Sequence, residues 1–91
     1  MKTSFTFNEK TSAYAYDDVD YNRAYVKLQE TDINMILRHR GYMYLNQIYE
    51  AFGVEWNYKW KNILYTYKPD GRQIELIIVG RNENGFDIDI L

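Results

Sequence analysis

Apolar and polar positions change their period twice along this chain. Over residues 20–40 they recur at helical spacing. Tyr21, Ala24, Tyr25, Leu28, Met35 and Ile36 share one side, and Val26, Ile33 and Leu37 lie nearly opposite. This pattern predicts one long helix that is apolar on two sides and therefore needs cover on two sides. Thr31-Asp32 offers the alternative of a kink with a fresh cap. Leu45, Ile48, Tyr49 and Phe52 fall at i, i+3, i+4 and i+7 and predict a short second helix, with Gly53 placed as its left-handed stop. So short a helix does not hold in water without a covered face.

From Asn62 onward the period becomes two. Residues 63–67 and 73–79 are rich in β-formers, and Phe86, Ile88 and Ile90 alternate strictly with Asp87 and Asp89, which are expected to face water. Lys68-Pro69-Asp70-Gly71 and the run from Gly80 to Asn84-Gly85 read as turns. The predicted fold is α+β, with one long and one short helix packed on a three-stranded antiparallel meander. Residues 20–91 make this single domain. Residues 1–19 precede it as an extended or partly disordered arm, in which Ser4-Phe5-Thr6-Phe7 alternates like a short strand. Its aromatic residues, Tyr14 and Tyr16 among them, either dock on a partner or wrap back onto the chain's own core.

Length allows one core and little spare stability in these 91 residues. The chain has no cysteine, which excludes disulfide staples and thiolate metal sites. No apolar run approaches the length of a membrane span, and Met1-Lys2-Thr3-Ser4 does not open a signal peptide. A cytoplasmic location without membrane contact is the expectation. Ten tyrosines bring aromatic residues to 18% of the chain, which suits half-buried surfaces and interfaces. The second strip of the long helix (Val26, Ile33, Leu37) is one candidate interface, to be covered by the short helix, the arm or a dimer mate. Tyr14, Tyr16, Trp56 and Tyr58 are the aromatic candidates.

Candidate chemistry is sparse. Asp17, Asp18 and Asp20 precede the long helix, where they favour the positive end of its dipole and one can cap it. They lack the glycine and closing glutamate of a calcium loop, so no metal is expected. The only histidine, His39, sits between Arg38 and Arg40 at the helix end, where cations are favoured, and Asp32 is about 10 Å away by helix rise. Without a phosphate-binding glycine loop or a nucleophile motif, neither a cofactor nor catalysis is expected. A net charge of −2 is unlike the basic footprint of nucleic-acid binders.

Two nucleic-acid readings are nevertheless open. Trp56, Tyr58 and Trp60 interleave with Lys59 and Lys61. In a winged-helix-like arrangement residues 55–64 are a recognition helix, the last hairpin is a wing, and Lys59, Lys61, Lys68 and Arg72 meet phosphates. In the opposite sense, Asp17, Asp18, Asp20, Asp87 and Asp89 would imitate phosphates in a decoy.

The run from Gly41 to Val54 (GYMYLNQIYEAFGV), with Trp60 shortly after and Ile88-Asp89-Ile90 near the end, resembles small uncharacterised proteins encoded by phages and integrative elements of Gram-positive bacteria. In those a leading helix, a Gly…Leu-Asn…Tyr…Leu-Gly segment, a tryptophan and a terminal hairpin recur. The likeness spans residues 23–91, with Phe52 in place of a leucine. It implies an accessory protein of a mobile element; that it binds a protein partner or its own copy is read from the excess of tyrosine and the two-sided helix. It brings no activity and no functional residues to transfer.

Overall fold

The protein is described from a computed structural model that covers residues 3–56 and 62–91. Its longest element is a single unbroken helix, α1 (Val19–Arg40). Asp18 caps it as expected: its carboxylate accepts the N–H groups of Asp20 and Tyr21 at 2.9 and 3.1 Å. At the other end Gly41 takes φ 85°, and its N–H closes on the Leu37 carbonyl at 2.8 Å. Thr31 bonds back to the Lys27 carbonyl within the helix, so Thr31-Asp32 starts nothing new.

A short strand, β2 (Tyr42–Tyr44), runs straight into α2 (Leu45–Phe52). The first N–H groups of α2 have no partner in their own helix. Leu45 N–H donates to the Ile63 carbonyl at 2.8 Å and Asn46 N–H to the Asn62 side chain at 2.9 Å. Gln47 reaches back to accept the Tyr44 N–H at 2.8 Å. The segment that supplies those acceptors continues as β3 (Leu64–Thr66), which pairs antiparallel with β2.

The larger sheet contains β1 (Thr3–Phe7), β4 (Leu76–Asn82) and β5 (Gly85–Ile90) in the order β1-β5-β4, all antiparallel. The expectation of a three-stranded meander is therefore corrected. Only β4 and β5 are consecutive; the third strand comes from the N-terminal end, and β3 pairs with β2 instead. Phe86, Ile88 and Ile90 are all buried on β5, so that strand needs a neighbour on each side. Phe7, fully buried, and Phe5 bring one there, with Phe7 in register with Phe86.

The turn at Lys68–Gly71 does form, with the Gly71 N–H on the Lys68 carbonyl. It does not join two paired strands. The backbone beyond it is claimed by α1. The Asn34 side chain donates to the Ile74 carbonyl and accepts the Ile74 N–H, both at 2.9 Å, and Glu30 accepts the Leu76 N–H at 2.8 Å. One helical amide thus acts as a neighbouring strand would. Replacing Asn34 with alanine leaves both Ile74 groups unpaired in a buried position, at a cost of about 2 kcal/mol. Urea denaturation should show a lower midpoint with an unchanged slope; an unchanged midpoint would remove Asn34 from the account.

The β4–β5 hairpin is tighter than expected. Asn82 pairs with Gly85, which leaves Glu83 and Asn84 as its two-residue loop, with Glu83 at φ 60°. The register slips between Ile78 and Gly80, a bulge at Val79. Asp87 and Asp89 do not face open water. Asp89 is buried, and Asp87 accepts from Thr6 at 2.6 Å and Asn82 at 3.2 Å.

Residues 3–19, expected as an extended or partly disordered arm, are correspondingly packed onto the rest of the domain. After β1 the chain turns on Asn8. Ser12 then donates to the Phe52 carbonyl at 2.5 Å, locking this segment to the end of α2. The core lies between the two helices and the inner face of the β1-β5-β4 sheet. It includes Phe7, Val26, Ile33, Leu37, Ile48, Phe52, Phe86 and Ile88.

Candidate interaction surface

Val26, Ile33 and Leu37 do not form an interface strip. They are 2%, 1% and 3% exposed and fill the core. The reason is visible on the same side of α1, where Asn22, Glu30 and Asn34 hold the backbone of other elements. The opposite side is the open one. Tyr21, Leu28 and Met35 are 41%, 56% and 51% exposed, and Ile36 is exposed beside them. Spaced by seven, they form a seam that drifts only about 20° per step around the helix. It runs about 21 Å along the axis.

Tyrosines extend the seam at its N-terminal end. Tyr16, itself exposed, stacks on Tyr21 with ring centres 4.3 Å apart and planes 11° from parallel. Tyr14 is half exposed and leans against Gly53, where an added Cβ would lie 2.7 Å from its ring. Tyr25 sits between seam and core; its hydroxyl donates to the Ala51 carbonyl at 2.7 Å, and its ring stacks on Phe7. Charge is polarised along the same helix, with Asp17, Asp18 and Asp20 at its start and Arg38, His39 and Arg40 at its end.

Trp56 is half-buried, while Tyr58, Lys59 and Lys61 lie outside the described residues. Lys68 and Arg72 are exposed. Arg72 is bound to Asp70 through both its backbone and its guanidinium, and those hydrogen bonds hold the Asp70 carboxyl below its ordinary range. The expected recognition helix over 55–64 is not found in its described parts. Residues 54–56 and 62–63 are in no helix, and Leu64 opens β3. A second exposed apolar patch, Ile77, Ile78 and Val79, lies on the edge strand β4 at the bulge. The sequence groups Leu28 and Met35 with Tyr21 on one of the two apolar sides of the helix, and the steps of seven from Tyr21 to Leu28 to Met35 are the signal of the seam.

Burial raises the phenol pKa of Tyr25, Tyr49 and Tyr65 above the usual value of 10.0, helped at Tyr25 by the nearby Tyr14 and Tyr21. The raised values favour the neutral form in the folded state. Between pH 10 and those values the unfolded chain releases protons that the folded one keeps, so stability falls as pH rises. These groups should have little effect on the melting temperature below pH 9 and lower it steadily above pH 10. Tyrosinate absorbance should show a late-ionising fraction that disappears in denaturant. A melting temperature flat to pH 11 would contradict this.

No protein-family model, curated protein or solved structure matches the chain.

Proposed function

We propose that the chain is a non-catalytic binding module, a protein-binding or self-associating accessory protein of a phage or mobile element. The observation that carries the reading is the open seam of α1. Leu28, Met35 and Ile36 are exposed along a helix whose other side is fixed in the core, and the stacked Tyr16–Tyr21 pair is exposed at its start. Clustered exposed apolar side chains mark interaction sites. His39 supports the non-catalytic part: it is exposed, and no hydrogen bond or ion pair orients it among the described residues. The mobile-element part rests on the resemblance of residues 23–91.

The test is the Leu28→Asp variant. It should abolish either self-association or the retention of a protein from nuclease-treated Gram-positive bacterial lysate, with the fold intact. Duplex DNA should not be shifted in a gel at low salt. A low-salt shift that weakens as salt rises would favour the winged-helix alternative instead. A Leu28→Asp variant that keeps every association would remove α1 as the binding face.

A further inference from the structure

The seam has a pattern that selects its occupant. Asp20 and Arg38 are eighteen residues apart, which is five full turns, so both lie on the same flank of α1. Arg38 and His39 make no hydrogen bond or ion pair among the described residues. The Asp20 side chain is 89% exposed, and its ion pair among the described residues is a long one to Arg23, at 3.9 Å.

We propose that α1 pairs antiparallel with α1 of a second copy, about a two-fold axis through Leu28. This deepens, and rests on, the reading of the chain as a binding module. About that axis Leu28 meets Leu28, and Tyr21 meets Met35 of the second copy at both ends. A thioether against an aromatic ring is a favourable contact. Asp20 then lies beside Arg38 of the second copy, twice over, and the acidic start of each α1 lies near the basic end of the other. A parallel pair would bring the two acidic ends to one end and the two basic ends to the other, with aligned helix dipoles opposed to it. Charge therefore fixes the direction as well as the partner: the surface complementary to this seam is the seam itself, turned end for end.

Sedimentation equilibrium of the full chain tests this. The chain should reach twice its 11.0 kDa mass as concentration rises. Leu28→Asp should stay monomeric with its far-ultraviolet circular dichroism unchanged, because Leu28 is 56% exposed and is not part of the core cluster. Asp20→Lys and Arg38→Glu should each weaken the dimer about tenfold, since the contact occurs twice. Combining the two should restore it. The chain has no native cysteine, so direction can be read by oxidation. A mixture of Tyr21→Cys and Met35→Cys should cross-link between the two variants, and neither alone should. A monomer at every concentration, a dimer indifferent to Leu28→Asp, or cross-linking of Tyr21→Cys with itself would overturn the proposal. If the chain is monomeric yet Leu28→Asp loses a captured protein, the occupant is a different partner: this pairing falls and the binding-module reading stands. If neither association is found, both fall.

Discussion

Replacing Gly85 with alanine should lower the melting temperature by roughly 15–25 °C, taking an overpacking cost of about 3–4 kcal/mol and the usual sensitivity of a domain this size. Gly85 opens β5 where the end of β1 crosses it. A Cβ there would stand 1.9 Å from the Phe7 carbonyl oxygen and 2.8 Å from the Asn8 Cα. Both are backbone atoms, so no side-chain rotation relieves the contact. The strand must move, and moving it pulls Phe7 from the core and from its register with Phe86. The effect is steric rather than torsional, because Gly85 is not among the glycines at positive φ. Gly41 is the opposite case. It has φ 85° with nothing within 4 Å of an added Cβ, so alanine there should cost only about 1–2 kcal/mol. Thermal melts of the two variants side by side separate these causes. If Gly85→Ala melts within a few degrees of the parent, β1 does not pack on β5 in this way.

The second large effect is expected at Asn22, on the core side of α1 and fully buried. Its amide donates to the Tyr16 carbonyl at 2.7 Å and the Asn84 carbonyl at 2.8 Å, and its oxygen accepts the Tyr16 N–H at 2.9 Å. One side chain thus ties the segment before α1 to the tip of the β4–β5 hairpin. The Asn84 side chain adds a hydrogen bond to the Asp17 carboxylate beside it. Leucine has nearly the same volume, so Asn22→Leu removes the bonds without leaving a cavity. It strands three backbone groups, at a cost of about 3 kcal/mol or more. The measurement is the urea midpoint, joined by hydrogen exchange at the Tyr16 amide. That amide should lose its protection; if it does not, the network is not what fixes this segment.

These two residues also show what the sequence made legible. α1 and α2, their caps at Asp18, Gly41 and Gly53, and the β4–β5 hairpin all follow from local spacing. Local spacing does not say which strands become neighbours. Thr3 pairs with Ile90 across nearly the whole chain, and the alternation of Ser4-Phe5-Thr6-Phe7 marks a strand without naming its partner. The meander was expected because Pro69 and Gly71 sit where a tight turn needs them. The turn is real, but Asn34 and Glu30 take the backbone beyond it. Which face of α1 stays open is hidden for a related reason. Val26, Ile33 and Leu37 read as a second apolar strip, to be covered by the short helix, the arm or a dimer mate. On that side Asn22 and Asn34 complete the hydrogen bonding of irregular segments, a use that only the tertiary fold reveals. The seam itself was present in the spacing of Tyr21, Leu28 and Met35; its openness was not.

The central claim is that α1 has one side fixed in the core and the other free for a partner. Two methionines report on it directly, since Met43 is 3% exposed and Met35 is 51% exposed. With methyl-labelled methionine and a soluble paramagnetic agent, the dilute chain should show strong relaxation of the Met35 methyl and little at Met43. At high concentration the Met35 signal should become protected, while Met43 stays as it was. A Met35 methyl equally relaxed at every concentration would contradict the pairing of the seam with a second copy, a Met35 methyl shielded in the dilute chain would contradict the open side of α1, and a relaxed Met43 there would contradict the core behind it.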